Sequence, residues 1–325
     1  ACPLHLSIIR QAFPEQEPCL VFSAWLQGAV QAVRDGIHQP APMMVLAGEA
    51  NAGKSLLAHI SKQAMGGRSS NPMTAWTGQL PWNDNLLGSA LLLIDDSVAS
   101  TDPRARKAFG ARFKESIYAG NVEVNIRNNT SVSMRPVWRV MVCCNETPEN
   151  LSVIPPLEDG IEDKIILLKV APIETPMPAK HPKEREAFQQ ALKAELPAFL
   201  RWLEKVELPE HLTDSRSGVT AWKDDELHRA VMEISPEKRM ESLLALAISK
   251  GLIQCGEWLS AAEIQAQLED RDSPTSHQAR TLLSFHQSAG RYLSTLYKDK
   301  SCDYVTDSKQ IVGTAHYIIN RPKKD

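Results

Sequence analysis

Long apolar runs are missing from this chain of 325 residues. No stretch of 18 or more apolar residues occurs, so no membrane-spanning helix is expected. A strong charge of one sign is missing too. The formal net charge is −3, which gives no global pull toward nucleic acid or membrane and leaves any basic surface to be local. Cysteine is sparse: Cys2, Cys19, Cys143, Cys144, Cys255 and Cys302 contain no C-x-x-C spacing, which argues against a zinc site and a disulfide framework. The first residues, Ala1-Cys2-Pro3-Leu4-His5, do not resemble a secretory signal. Internal repeats and low-complexity tracts are absent as well. With 43% hydrophobic and 23% charged residues, the expectation is a soluble, cytoplasmic protein of two or three domains.

What is present is organised around Gly48-Glu49-Ala50-Asn51-Ala52-Gly53-Lys54-Ser55, which fits the phosphate-binding pattern G-x-x-x-x-G-K-[ST]. Met43 to Ala47 before it has strand character, and Leu56 to Ile60 after it continues as a helix. In that context, backbone N–H groups of the loop and of the helix N-terminus converge on a polyphosphate. Lys54 is expected to reach the β- and γ-phosphates of ATP, and the Ser55 hydroxyl to ligate Mg²⁺.

About forty residues on, Ala90-Leu91-Leu92-Leu93-Ile94-Asp95-Asp96 is an apolar run ending in two acids. This is the pattern of a buried parallel strand whose carboxyl end reaches a site. Asp95 is expected to hold the Mg²⁺ shell and Asp96 to orient or activate the attacking water. Trp138 to Asn145 is a further apolar strand, and its terminal Asn145 is placed to sense the γ-phosphate.

Residues 104–139 differ in charge. Arg104, Arg106, Lys107, Arg112, Lys114, Arg127, Arg135 and Arg139 are opposed only by Asp102, Glu115 and Glu123. Phe109 and Phe113 suggest a helix, and the alternation over 122–127 and 131–134 around Asn128-Asn129 suggests a β-hairpin. A basic hairpin of this kind is a candidate grip on a nucleic-acid backbone, through Lys114, Arg127 and Arg135, or else a solvated surface hairpin.

Residues 1–40 read as a helical lead-in, 41–172 as the ATPase core, 173–235 as a helical lid and linker, and 236–325 as a winged-helix-like domain. Leu157 to Leu168 reads as a charged helix running into a strand. In the last segment, helices over Met240 to Ile248, from Leu259 with a Ser260/Glu263 capping box, and over His286 to Tyr297 precede a two-stranded wing. From residue 257 onward, nine basic residues balance nine acidic ones, so DNA affinity is not announced there.

The order of P-loop, acidic pair, basic helix-hairpin and strand-ending Asn resembles the superfamily 3 helicases, AAA+-type hexameric motors. Within that group it looks most like the helicase part of phage and satellite primase-helicase proteins. The resemblance implies an α/β P-loop NTPase fold, an ATP- and Mg²⁺-dependent DNA helicase acting in replication of a mobile element, single-stranded or forked DNA as substrate, a homohexamer, and a primase or origin-binding protein as partner. It also implies a trans-acting arginine just before the strand that follows Asn145. Lys164 stands there instead, and Arg139 and Arg216 are alternatives. A hairpin-tip lysine usual in the family is missing, with Arg127 the nearest basic residue. The alternative reading is a regulatory or defence ATPase that binds DNA or a partner through its winged helix without unwinding.

Overall fold

The computed structural model describes residues 2–95, 103–155, 157, 160–283, 287–298 and 302–321, so Asp96 lies outside the described residues. The chain forms two compact units, Ala1–Val231 and Met232–Asp325.

In the first unit, α1 (Pro3–Ala12) opens on a proline in its first turn, where the missing N–H costs nothing. In α2 (Gln16–Asp35), Val21, Phe22, Trp25, Leu26, Ala29 and Ala32 recur at three and four residues and are buried. That helix ends at Gly36, whose φ of 65° places it in the left-handed region. Next come β1 (Met43–Gly48), α3 (Lys54–Ala64), the short β2 (Ser69–Ser70) and α4 (Met73–Trp76), β3 (Leu91–Asp95) and α5 (Pro103–Tyr118). The hairpin β4 (Val122–Val124) and β5 (Val132–Met134) precedes β6 (Arg139–Asn145), α6 (Pro148–Leu151) and β7 (Ile165–Lys169). The unit closes with α7 (Pro182–Leu203), and α8 (Asp225–Glu233) spans its boundary with the second unit.

The main sheet has the order β2-β3-β6-β1-β7, and every pairing is parallel. All six residues of β1 are buried, and so are the first six of the seven in β6. This is why both read as unbroken apolar runs rather than alternating ones. Strand β6 lies between β1 and β3, with Gly48 opposite Asn145 and Asp95 opposite Cys143. Parallel pairing therefore delivers the ends of three strands to one edge of the sheet. The free side of β7 is covered by the chain at 222–224, where Leu167 N–H donates to Trp222 O at 3.0 Å and Asp224 N–H donates to Leu167 O at 2.9 Å. Helix α7 packs within this unit. Its Phe188, Leu192, Phe199 and Leu203 enter one core with Ile8, Ile9, Phe22, Trp25 and Leu57.

The expected charged helix before β7 is not formed by the described residues there. Gly160 has φ 77°, and only a single 3-10 turn, Glu162–Lys164, precedes the strand. Glycine in the left-handed region ends a helix rather than continuing one.

In the second unit, α9 (Pro236–Ser249) is capped by the Ser235 hydroxyl, which accepts from Lys238 N–H. Strand β8 (Trp258–Ser260) leads into α10 (Ala261–Glu269), whose Ser260/Glu263 capping box is formed on both sides. After α11 (Ser276–Leu282) and α12 (Ser288–Lys298), strands β9 (Val305–Ile311) and β10 (Thr314–Ile319) pair antiparallel, and β8 adds to β10 as a third strand. The core joins Met240, Leu244, Ile264, Leu268, Leu293 and Ile319. Helix α11 and strand β8 were not expected from the sequence pattern.

Candidate functional site

The loop Glu49–Gly53 joins β1 to α3, and its two flanking glycines have no room for a side chain. A Cβ on Gly48 would stand 2.6 Å from Val170 O, and one on Gly53 would stand 2.6 Å from Ile173 Cδ1. Gly53 also has φ 101°, and Asn51 has φ 64°. This left-handed geometry turns the chain into the helix, whose first N–H groups lack intrahelical acceptors and face a prospective anion. Glu49, Ala50 and Asn51 are exposed, and Ala52 is buried, its carbonyl accepting from Ile173 N–H at 3.1 Å.

Lys54 is only 6% exposed. Its ammonium donates to Gly48 O at 3.1 Å, to Glu49 O at 2.7 Å and to Asn145 Oδ1 at 2.9 Å. The three hydrogens of the ammonium are thus matched by three oxygens, which hold the charge over the loop. Ser55 is exposed on the first turn of α3, and its hydroxyl lies 3.4 Å from Asp95 Oδ1. A hydroxyl and a carboxylate at that spacing, beside an anion-binding loop, form an oxygen donor set that suits Mg²⁺ carried by phosphate. Lys54 and Asn145, 91 residues apart, and Ser55 and Asp95, 40 residues apart, meet here.

The other cations divide among three places. Arg139 is too deeply buried to reach out to another protein subunit. It is 3% exposed at the first position of β6, the opposite end from Asn145, and donates to Gln39 O at 2.6 Å and Gly28 O at 3.2 Å. Burial pulls its guanidinium down to a pKa of about 10. Lys164 and Arg216 both stand over the ring of Tyr118, at 5.2 and 4.2 Å from its centroid. Lys164 is engaged by both oxygens of Asp163, at 2.7 and 2.8 Å, whereas Arg216 is exposed. Burial pushes the Tyr118 hydroxyl up to about 12, so the ring is a neutral platform. Nothing in the sequence pattern had singled out Tyr118.

Arg127 lies exposed in the turn of the β4–β5 hairpin, and Arg135 is exposed just past β5. Lys114 is placed elsewhere, with its Nζ 3.0 Å from where a Gly160 Cβ would be. The hairpin root is held by Asn83. Its N–H donates to Asn125 O at 3.1 Å, its Nδ2 to Glu123 O at 3.1 Å, and its Oδ1 accepts from Asn125 N–H at 2.5 Å. Next to Asn83 in the chain, Trp82 is 39% exposed, an aromatic surface beside the basic turn. No local pattern marks Asn83 or Trp82, because their roles depend on a contact forty residues away.

An α/β protein with a P-loop-like core is what this sheet order and this loop define. No family model matches the sequence, and no curated protein matches it. Two solved apo structures of the C-terminal region of NrS-1 are similar in fold, with TM-scores of 0.54 and 0.56. Each is 14% identical, over 98% of this chain and 76% of the other. At that identity the likeness shows the fold alone. A JCV helicase bound to an acetamide ligand aligns at a TM-score of 0.32 and 11% identity, over 72% of this chain and 66% of the other, and carries no argument.

Proposed function

We propose that this chain is an ATP-driven DNA helicase that works as a hexameric ring translocase in the replication of a phage, satellite or other mobile element. The observation that carries the reading is the meeting of Lys54 with Asn145 at 2.9 Å and of Ser55 with Asp95 at 3.4 Å, where α3 begins beside the ends of the adjacent parallel strands β3, β6 and β1. The loop and Lys54 hold the polyphosphate of ATP, and Ser55 and Asp95 hold Mg²⁺, which offsets phosphate charge when bound. Asn145 moves its amide from Lys54 toward the γ-phosphate or the attacking water. Asp96 orients that water. Positioning and charge stabilisation supply the catalysis, as in phosphoryl transfer generally.

Lys164 and Arg216 lie toward the other end of the sheet and serve a neighbouring subunit's site. Arg216 is the better trans-acting group, because it is exposed and planar while Asp163 neutralises Lys164. Arg127 and Arg135 grip single-stranded or forked DNA, with Trp82 as a stacking surface. Lys114, aimed at Gly160, supports the Tyr118 cluster instead. Unit Met232–Asp325, with its helices and three-stranded sheet, reads as a winged helix that docks DNA, a primase or an origin-binding protein. The work is done in the cytoplasm.

Strand displacement with ATP and Mg²⁺ tests the reading. The wild type separates a forked duplex and Lys54→Ala does not, while equal activity of the two removes the proposal. ATPase activity per subunit rises with protein concentration, and Arg216→Ala loses turnover while keeping ATP affinity.

A second reading, a regulatory ATPase that binds without unwinding, is favoured by one observation. Lys309 of β9 is folded over the Trp258 ring at 3.9 Å, which withdraws a wing cation from DNA. A protein that stays monomeric with ATP and single-stranded DNA decides for that reading.

A further inference from the structure

Arg139 is the first residue of β6, at the sheet edge remote from the P-loop. Its two Nη groups donate to backbone carbonyls, and its Nε–H, buried from solvent, has no partner among the described residues. A buried cation normally acquires a carboxylate, because an uncompensated charge in low dielectric is costly. None is supplied here. The downward pull on the Arg139 pKa comes from burial alone, with no acid contributing. Two acids adjoin lining residues in sequence: Glu207, which is exposed, and Asp214, which accepts from the Ser217 hydroxyl at 2.7 Å and from the N–H groups of Arg216 and Ser217.

Beside the guanidinium opens a cavity of about 250 Å³, lined by Gln27, Gln31, Gln39, Thr213 and Ser217 among others, with no Asp or Glu in the lining. The volume exceeds what a water or two needs. The Gln27 amide and the Thr213 and Ser217 hydroxyls already donate to protein oxygens, so the uncharged donors that an anion can draw on are the amides of Gln31 and Gln39. Gln39 meets the guanidinium through its backbone, Gln39 O accepting from Arg139 Nη1 at 2.6 Å, and its side chain lines the same cavity.

We propose that this cavity is an oxyanion site, in which Arg139 takes a phosphate group, either free phosphate or the end of a small phosphomonoester. The site is separate from the P-loop and does not depend on the reading of the chain as a motor. Arginine is suited to the task because its planar fork presents two N–H groups to two oxygens.

Thermal unfolding of the full chain tests this, with inorganic phosphate titrated against chloride at constant ionic strength. Because the P-loop also binds phosphate, the titration is made on Lys54→Ala as well as the wild type. A saturable rise is expected in both, about 3–6 °C at roughly ten times the dissociation constant. Arg139→Gln abolishes it. Gln39→Glu, which builds a carboxylate beside the guanidinium, raises the melting temperature without phosphate and removes the phosphate response. Glycerol phosphate in a parallel titration separates the sources. An equal rise assigns the site to monoesters, and a rise with inorganic phosphate alone assigns it to free phosphate. A phosphate response that vanishes in Lys54→Ala overturns the proposal, as does one that survives in both Arg139→Gln and Gln39→Glu. No response in any protein overturns it too.

Discussion

Gly48→Ala is the substitution whose cost can be worked most directly from the structure. The new methyl would stand 2.6 Å from Val170 O and 3.5 Å from Val170 Cβ. The obstructing atom is backbone, so no side chain can rotate away. Val170 cannot retreat freely either, since its N–H donates to Ala47 O at 2.7 Å. Relief therefore separates the chain after β7 from β1 and weakens that bond. Overpacking of this kind costs about 1–3 kcal/mol, and a weakened hydrogen bond about 1 kcal/mol more. The sum, about 2–4 kcal/mol, lowers the melting temperature of the first unit by roughly 5–15 °C. Urea unfolding followed by circular dichroism, with the slope unchanged, measures it.

Gly53→Ala provides the internal comparison. It meets Ile173 Cδ1, the end of a side chain, at 2.6 Å. Ile173→Ala should recover most of the steric cost, the 3.1 Å approach of the residue-173 Cβ remaining, and leave the strain of φ 101°, about 1–3 kcal/mol. The same Ile173→Ala change should not rescue Gly48→Ala. A melting temperature for Gly48→Ala within 2 °C of the wild type, or its rescue by Ile173→Ala, refutes the reasoning.

Three other outcomes are expected. His5 is buried against Phe199 at 4.4 Å, and burial lowers its pKa despite the Glu195 carboxylate 3.3 Å away. A depressed folded pKa gives stability that is complete above the unfolded value near 6.5 and lost as pH falls through the folded value. His5→Phe, which keeps the ring stack, should flatten the fall in melting temperature between pH 7.5 and 5. A fall as steep as the wild type's assigns it to another group. Val312, at φ 47° and 99% exposed, sits with Gly313 in the two-residue turn between β9 and β10. A β-branched residue is strained there, so Val312→Asn should stabilise the second unit by about 1 kcal/mol in urea unfolding. If Arg127 and Arg135 neutralise phosphates of single-stranded DNA, each change to Ala should weaken binding and reduce the slope of log affinity against log salt by about 0.7. An unchanged slope removes that residue from the interface.

The P-loop-like part of the fold was legible because its determinants are local. A glycine-bounded loop between an apolar run and a helix specifies itself, and β1, β3 and β6 read as strands because both faces of the sheet are covered. That β6 inserts between β1 and β3, and so sets Asn145 beside Lys54, is a matter of topology that no spacing in the chain encodes. Burial was equally hidden. Arg139 sits in a basic segment and counts in sequence as one of its surface cations, yet it is one of the most deeply buried charges among the described residues. The reverse holds for Arg216, whose stacking on Tyr118 depends on a contact across 98 residues. The short elements escaped for a different reason. Helix α11 has seven residues and buries only Ala279 and Leu282, and β8 has three residues, so neither develops a period.

The parallel sheet imposes a division of labour that the proposed ring requires. Residues at strand ends, Gly48, Asp95 and Asn145, share one edge, while Lys164 immediately precedes β7 at the other. Five strand residues separate the edges by about 17 Å. At that separation a cation in solvent contributes about 0.2 kcal/mol to a unit negative charge before salt screening, and a Debye length of about 8 Å removes most of that. Lys164 therefore has no useful field at its own chain's phosphates, and Arg216, beside it on Tyr118, has as little. Exposed on a neutral ring, Arg216 feels the charge of Asp214 but makes no direct ion pair among the described residues of the kind Asp163 makes with Lys164, which leaves it better prepared than Lys164 for an anion arriving from outside. With the proposed ATP site at one edge, a guanidinium toward the other can serve it only from a second copy of the chain. The same separation keeps Arg139 beyond reach of the nucleotide, so its unpaired Nε–H is a demand that the proposed reaction does not meet.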